Sequence, residues 1–184
     1  PRTCATESWV ENIPVARRRL EPLGVEVAVP ADDDHLPFED GVFDLVLNRH
    51  GSYRPQELLR VLKPGGVFLT QQVGGQNQIR LNQLLQDEIA FIYSNWSLAR
   101  TRAELTEAGF EILQAREDFP EVRYLTIGAV VYYLRIISWQ IEGFTPAAYL
   151  EKLYAIEQTI RREGSLVTHS HRFLVEARRP VAQS

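Results

Sequence analysis

Short apolar segments alternate with longer segments of helical periodicity along most of the chain. The apolar segments are rich in β-branched residues and cover residues 3–6, 25–29, 42–47, 67–72, 110–119 and 171–178. The helical patterns between them cover residues 11–23, 55–62, 79–92 and 97–108. Strands that alternate with helices are typical of βαβ units around a mostly parallel sheet with helices on both faces. The pattern therefore predicts an α/β fold.

Two details of this pattern predict particular elements, a central strand and a turn. Residues 42–47 form a run that is apolar enough to be buried on both faces, which predicts a central strand. The sequence Lys63-Pro64-Gly65-Gly66 combines proline with two glycines and predicts a turn that separates the helix over 55–62 from the strand over 67–72.

The segment over 124–164 is too long for a hairpin loop and is predicted to be a helical insertion before the last strand. It contains an apolar, aromatic stretch over 127–139 and an amphipathic helical pattern over 146–162 with proline near its first turn. We expect it to cover one edge of the sheet. The whole chain, 1–184, is then one domain whose core spans about 1–120 and 168–180.

The composition is that of a globular protein in a reducing compartment. Of the 184 residues, 45% are hydrophobic and 24% are charged, which excludes a disordered or fibrous chain. The apolar run over 127–137 is interrupted by polar residues and is shorter than the roughly 20 residues that a membrane span needs, so no membrane span is expected. The single Cys4 cannot form an internal disulfide and no secretory signal is visible, which favours a cytoplasmic location.

The net charge of -4 disfavours nucleic acid as a partner, because the average field of the protein would repel phosphates. Arginine clusters at 17–19, 161–162 and 178–179 are open to two interpretations, a local anion-binding patch or solvated surface, and solvated surface is the usual one. The four histidines, His35, His50, His169 and His171, are scattered and do not have the spacing of a metal site. A structural role is favoured for His169 and His171.

Four short motifs occur in a recognisable order, namely Thr-Glu-Ser-Trp at 6–9, Asp-Asp-Asp-His-Leu-Pro-Phe at 32–38, Phe-Asp-Leu-Val-Leu-Asn-Arg-His at 43–50 and Leu-Lys-Pro-Gly-Gly-Val-Phe at 62–68. In that order and spacing they resemble class I, Rossmann-like, S-adenosylmethionine-dependent methyltransferases of bacterial type. The resemblance covers about two thirds of the chain. It implies S-adenosylmethionine as cofactor and an antiparallel last strand.

The resemblance assigns cofactor contacts to the first two motifs. Glu7, followed by Ser8, would bind both ribose hydroxyls, a task that suits a carboxylate because it accepts two hydrogen bonds at once. Asp32 would accept the adenine amino proton, and the backbone N–H of Asp33 would donate to a ring nitrogen. The alternatives are a surface acid at Glu7 and a solvated loop at Asp32 and Asp33 that caps the next turn.

The third motif supplies the candidate catalytic residues. In open α/β sheets ligands bind beyond the carboxyl ends of the strands, so Asn48, Arg49 and His50 would face cofactor and substrate. His50 is the candidate base, with Tyr53 behind it, although a lone histidine is more often structural. Tyr132, Tyr133 and Trp139 are candidates for an acceptor pocket, with core packing as the alternative.

One element of the family is missing from the chain as given. Glycine-rich cofactor loops precede the acidic residue by about 20 positions, but Glu7 has only six residues before it. We therefore expect the printed chain alone to be an incomplete, inactive fragment, and its sheet to be interrupted between the strand that ends at Glu7 and the strand that ends at Leu47. The alternative is a protein that has lost the loop.

The sequence thus predicts methyl transfer to an unidentified acceptor, a small molecule or an RNA base, with a small molecule favoured. Two narrower classes are set aside, because Asn48-Arg49-His50-Gly51 is not the Asn-Pro-Pro-aromatic motif of exocyclic amino methyltransferases, and there is no Pro-Cys pair for covalent pyrimidine chemistry. The alternative to an enzyme is a catalytically inactive binding or regulatory module with this fold.

Overall fold

A computed structural model describes residues 2–32, 34–89 and 93–181 and divides the chain into two compact units. The first unit comprises Pro1–Thr70, Glu104–Leu113 and Glu176–Ser184, and the second comprises Gln71–Ala103 and Gln114–Val175.

The first unit begins with the predicted strand, helix and strand. Strand β1 (Thr3–Thr6), helix α1 (Ile13–Leu20), a short 3-10 helix (Glu21–Leu23) and strand β2 (Val25–Ala28) follow one another. Gly24 adopts a left-handed φ of 78° and ends the helical segment, as glycine can without steric cost. The two strands pair in parallel, from Thr3 opposite Val25 to Thr6 opposite Ala28. This is the βαβ unit that the pattern predicts.

The third strand differs from its prediction. Strand β3 (Phe43–Arg49) is followed by helix α2 (Pro55–Val61) and strand β4 (Leu62–Val73). A four-stranded sheet has the order β3-β4-β8-β5, in which β8 is Arg172–Arg178 and β5 is Glu111–Asp118. Strand β3 is an end strand of this sheet, and its Leu45 and Leu47 are 51% and 68% exposed. The expectation of a central strand buried on both faces is wrong, because β3 lies at the edge of its sheet and the face that carries Leu45 and Leu47 is exposed. Strands β1 and β2 form a separate sheet, so the expected interruption between β1 and β3 is present.

The predicted turn at Lys63 to Gly66 is also wrong, because β4 runs through these residues as a continuous 12-residue strand. The N–H of Gly65 donates to the carbonyl of Arg179, and the N–H of Arg179 donates to the carbonyl of Gly66. Two residues of β4 therefore face one residue of its neighbour, and Gly65 has a φ of 81°. This is a β-bulge with glycine in the left-handed position, which bends the strand without ending it.

Strand β8 (Arg172–Arg178) runs antiparallel to both of its neighbours, β4 and β5 (Glu111–Asp118). Towards β4, the hydrogen-bonded residues are Gly65 with Arg179 at one end and Gly74 with His171 at the other. Towards β5, the side chain of Arg178 binds Glu111, and that of His171 binds Glu117. The antiparallel last strand is confirmed, and the carboxyl ends of β4 and β5 lie at the same edge of the sheet.

The second unit contains the helices α3 (Ile79–Leu85), α5 (Ile127–Ile136) and α6 (Leu150–Glu163), while α4 (Leu98–Ala108) begins in the second unit and ends in the first. The segment predicted as a helical insertion holds α5 and α6. The helix expected over 79–92 is shorter, because α3 ends at Leu85, and residues 90–92 lie outside the described residues.

A two-stranded antiparallel sheet brackets α5 and α6 and was not predicted. Its strands are β6 (Glu121–Tyr124) and β7 (Leu166–His169), with Tyr124 opposite Leu166. The core of the second unit lies beside it and consists of Leu81, Leu85, Tyr124, Val130, Leu134, Ile141, Leu153, Ile156, Ile160 and Leu166. Among the described helices, none has the length and apolar character to cross a bilayer.

Candidate functional site

Glu7 lies where the first parallel strand ends. Its backbone N–H donates to the carbonyl of Ala28 over 3.1 Å, which continues the pairing of β1 and β2 by one residue. Its carboxylate oxygen Oε1 accepts the backbone N–H of Trp9 at 2.8 Å, so the side chain is folded back over the strand exit. Glu7 is half-buried and Ser8 beside it is exposed. An ionised carboxylate has about four acceptor positions, so this single bond leaves room for a vicinal diol.

Asp32 lies in the loop that follows β2. Its Oδ1 accepts the backbone N–H groups of Asp34 and His35, each at 2.9 Å, so this carboxylate caps a turn. Because β1 and β2 are parallel, Glu7 and the loop of Asp32 leave the pair at the same edge. Asp33 lies outside the described residues.

The exit of β3 is held to β4 through Asn48. Its Oδ1 accepts the hydroxyl of Thr70 at 2.9 Å, and its Nδ2 donates to the carbonyl of Ser52 at 3.4 Å. Arg49 and His50 follow and are exposed. His50 has a left-handed φ of 59°, a conformation that few residues other than glycine adopt and that is enriched at functional sites.

Tyr53, the second candidate catalytic residue, is half-buried, and its ring meets that of Phe68 edge-on at 4.9 Å. Phe68 in turn packs near Phe110, with 6.3 Å between the ring centroids. Tyr53 is thus part of the packing of the first unit, whereas the imidazole of His50 is accessible. The catalytic assignments of both residues stay predictions.

A buried ion pair on α2 was missed by the sequence analysis. Glu57 is only 7% exposed, and Arg60 reaches it with two donors, Nε to Oε2 at 2.9 Å and Nη2 to Oε1 at 2.6 Å. The hydrogen bonds from Arg60 lower the pKa of Glu57, and the N–H of Leu36 adds to this effect against the cost of burial. The available signal was the Glu-x-x-Arg spacing, which places two opposite charges on one helix face.

The three aromatic residues predicted to line an acceptor pocket differ in exposure within the second unit. Tyr132 and Trp139 are 69% and 51% exposed. Tyr133 points inward, where its hydroxyl accepts from Nδ2 of Asn77 and donates to Oε1 of Gln140, both at 3.2 Å. Burial raises the pKa of Tyr133. Neighbours on a helix point about 100° apart, so Tyr132 and Tyr133 do not form one wall.

His171 is buried in the second unit. Its Nδ1 accepts the backbone N–H of Gln76 at 3.1 Å, which assigns the ring proton to Nε2, and Nε2 donates to Glu117 at 2.8 Å. Phe119 stacks on the ring with 4.5 Å between centroids. In the part of the chain that the structure describes, no three His, Cys, Asp or Glu side chains are grouped as a metal site would require.

Comparison with known proteins gives a family match and a shared fold. Residues 2–70 match the model of a methyltransferase domain. Comparison with curated proteins found no match. A candidate methyltransferase from Bacillus halodurans superposes with a TM-score of 0.67 at 20% identity, covering 98% of this chain and 84% of that one.

Two further solved structures show how broadly the fold is used. A SAM-dependent methyltransferase from Aquifex aeolicus has a TM-score of 0.53 at 13% identity, covering 97% of this chain and 69% of its own. The 4+2 cyclase SpnF has a TM-score of 0.54 at 17% identity, covering 98% and 68%. At these identities the likeness concerns the fold. The α/β class and the resemblance stated from the sequence are confirmed.

Proposed function

The chain has the fold of class I S-adenosylmethionine-dependent methyltransferases, and on that premise we propose that it binds this cofactor and directs methyl transfer to a small-molecule acceptor. The observation that carries the proposal is the placement of Glu7, a half-buried carboxylate at the carboxyl end of a parallel strand. Ligands of open α/β sheets bind at that edge.

The residues of the first unit fit the ribose and adenine of the cofactor. Glu7 accepts the two ribose hydroxyls with acceptor positions that Trp9 does not use, and Ser8 lies beside them. Asp32 caps its own turn through Oδ1, which leaves Oδ2 directed to the adenine amino group as the proposed contact. The proposed contact of Asp33 runs from its backbone N–H to a ring nitrogen of the adenine.

The bound sulfonium supplies an activated methyl group, so the work left to the protein is positioning, exclusion of water and removal of a proton from the acceptor. The hydrogen bond between Asn48 and Thr70 holds the end of β3 against β4 and so positions Arg49 and His50, which follow Asn48. An imidazole nitrogen of His50 takes the acceptor proton, with Tyr53 as the reserve candidate. Tyr132 on α5 and Trp139 beyond the end of α5 have exposed rings and are our proposed contacts for an apolar acceptor, while the hydroxyl of Tyr133 binds Gln140.

A small molecule is the proposed acceptor class rather than RNA, because the net charge of -4 opposes binding of a polyphosphate backbone. The proposed setting is the cytoplasm, in keeping with a single unpaired Cys4.

The test is cofactor affinity, measured by calorimetry with S-adenosylhomocysteine on the full product of the gene. Glu7→Ala should weaken binding by about 1.5–3 kcal/mol, the range for hydrogen bonds to a charged group. Glu7→Gln keeps an acceptor for the Trp9 N–H, so its affinity should lie between those of the wild type and Glu7→Ala. Glu11→Ala removes an exposed acid four residues on and should leave affinity unchanged. An unchanged dissociation constant for Glu7→Ala removes Glu7 from the site.

The alternative to an enzyme is a binding or regulatory module without methyl transfer. A neighbour of the same fold is described as a cyclase, so the fold does not fix the reaction. Tight binding of S-adenosylhomocysteine together with no methyl transfer to a panel of small acceptors would favour the module over the enzyme.

A further inference from the structure

Helix α2 holds the loop between β2 and β3 by hydrogen bonds to the backbone of that loop. Oε1 of Glu57 accepts the N–H of Leu36 at 2.6 Å, and Nη2 of Arg60 donates to the carbonyl of the same residue at 3.0 Å. Nη1 of Arg60 donates to the carbonyl of Phe38 at 2.7 Å. The two side chains therefore fix both ends of the Leu36-Pro37-Phe38 turn.

The pair is built to hold one geometry. The guanidinium of Arg60 is planar, and its donors reach Glu57, the two loop carbonyls and, at 2.7 Å, Oδ1 of Asp40. A lysine ammonium carries the same charge but cannot present donors in this fixed fork. Because Glu57 is almost fully buried, it is stable as a carboxylate only while Arg60 and the Leu36 amide satisfy it.

The fixed turn is linked directly to Asp32. Leu36 follows His35, whose N–H donates to Oδ1 of Asp32 at 2.9 Å. The start of α2 adds a second link, since Nε of Arg54 lies 2.6 Å from Oδ1 of Asp34. Side chains outside the loop, those of Glu57, Arg60 and Arg54, therefore help to hold Leu36 and Asp34 in place, together with the cap that Asp32 makes within the loop.

We propose that Glu57 and Arg60 are positioning residues that hold the adenine-recognition loop, so that they set the affinity and the base selectivity of the cofactor site without touching the cofactor. This inference rests on the proposed function, because it takes Asp32 as the adenine contact. A pair that only stabilises the first unit would change the unfolding temperature and would leave base selectivity as it is.

The experiment compares two probes, S-adenosylhomocysteine and S-inosylhomocysteine, in which an oxygen replaces the adenine amino group. Asp32→Ala should reduce the preference of the wild type for the amino probe to near unity, because the acceptor of the amino proton is gone. Arg60→Lys should weaken binding of S-adenosylhomocysteine about tenfold, the loss of roughly one hydrogen bond to a charged group, and should reduce the preference in the same direction as Asp32→Ala.

A matched control exists in the second unit. Nε of Arg161 donates to Oε1 of Glu157 at 2.8 Å on the surface of α6. The two residues are four positions apart, so they lie one helical turn from each other. Arg161→Lys should change neither the affinity nor the preference. If Arg60→Lys does not fold, the same ratio is measured in Glu57→Gln, which keeps an acceptor for the Leu36 amide.

The outcomes separate the two proposals. An unchanged preference in a folded Arg60 or Glu57 variant overturns the positioning role. An unchanged preference in Asp32→Ala, together with weakened binding in Glu7→Ala, overturns the loop assignment and leaves the proposed function standing. Failure of the wild type to bind S-adenosylhomocysteine overturns both.

Discussion

The two units differ in how their apolar strands and helices are covered. In the second unit, ten buried residues form one cluster: nine come from α3, α5, α6 and the small sheet, and Ile141 comes from the segment between α5 and α6. In the first unit, Trp9, Leu45 and Leu47 are more than half exposed, and β3 is an end strand. The predicted cofactor residues lie in the unit that contains the end strand β3, and the unit that contains the ten-residue cluster carries none of them.

This difference shows where sequence patterns and packing diverge. An apolar run in the second unit, such as α5, meets partners on its inner face, whereas the run of β3 has a neighbouring strand on one side only. End strands present unpaired backbone groups and are sites of further pairing. The open edge of β3 is therefore the place in the first unit where additional strand contacts would form.

The largest expected effect contrasts one leucine from each unit. Leu134→Ala empties a fully buried position of the second core and should cost about 2–5 kcal/mol of unfolding free energy. Leu47→Ala changes an exposed side chain of β3 and should stay within about 0.5 kcal/mol. Urea unfolding of both variants measures the difference. A cost at Leu47 comparable to that at Leu134 would show that the face of β3 is covered in solution.

Two glycines of the second unit give the next contrast. A Cβ at Gly74 would lie 2.1 Å from the ring of His171, so Gly74→Ala should destabilise the protein by about 1–3 kcal/mol through overpacking. A Cβ at Gly128, near the start of α5, meets nothing closer than 3.8 Å, and Gly128→Ala should stabilise by up to about 1 kcal/mol. Thermal unfolding of the two variants should shift in opposite directions. A shift of the same sign in both would mean that the His171 ring moves aside freely.

The smallest expected effects concern the pH dependence of the unfolding free energy, which should differ between groups of the two units. Arg60 lowers the pKa of Glu57 in the folded state, so the stability from this group is present above the ordinary glutamate value of about 4.3 and is lost as pH falls through the folded pKa. Burial raises the pKa of Tyr124 and of Tyr133, so their contribution is present below about pH 10 and is lost as pH rises through their folded values.

Unfolding free energies of the wild type, Glu57→Gln and Tyr124→Phe at pH 3, pH 7 and pH 11 test both signs. Glu57→Gln should flatten the acid side of the stability profile and Tyr124→Phe the alkaline side. An acid side that stays equally steep in Glu57→Gln would mean that this carboxylate is not held by Arg60 in solution.

Much of the first unit was predictable because its signals are local. Gly24 ends a helical pattern and starts a β-branched run, and the structure places the helical end and β2 there. The same holds for α4 and β8, whose periodicity decides their extent. Glu7 at the end of β1 also followed from the order of short motifs.

The sequence predictions that were wrong, and the features that were missed, depend on partners that are distant along the chain. Pro64, Gly65 and Gly66 continue a strand only because Arg179 supplies the matching hydrogen bonds. Glu57 is a buried anchor because its acceptor meets the amide of Leu36, 21 residues earlier. The strands β6 and β7 pair across the whole segment of α5 and α6. No local periodicity encodes such contacts, and the positions of site residues relative to bound molecules are of the same kind.

The bulge at Gly65 also has a consequence for the order in which parts of the protein fold. Arg179 donates to the carbonyls of Leu59 and Leu62, 120 and 117 residues before it, and occupies the bulge. Every residue of the second unit leaves the ribosome before Arg179 does. The contacts of Arg179 with Leu59 and Leu62 can therefore form only after the whole second unit has been synthesised. Because closing so long a loop is slow, completion of the first unit should be the late step of maturation.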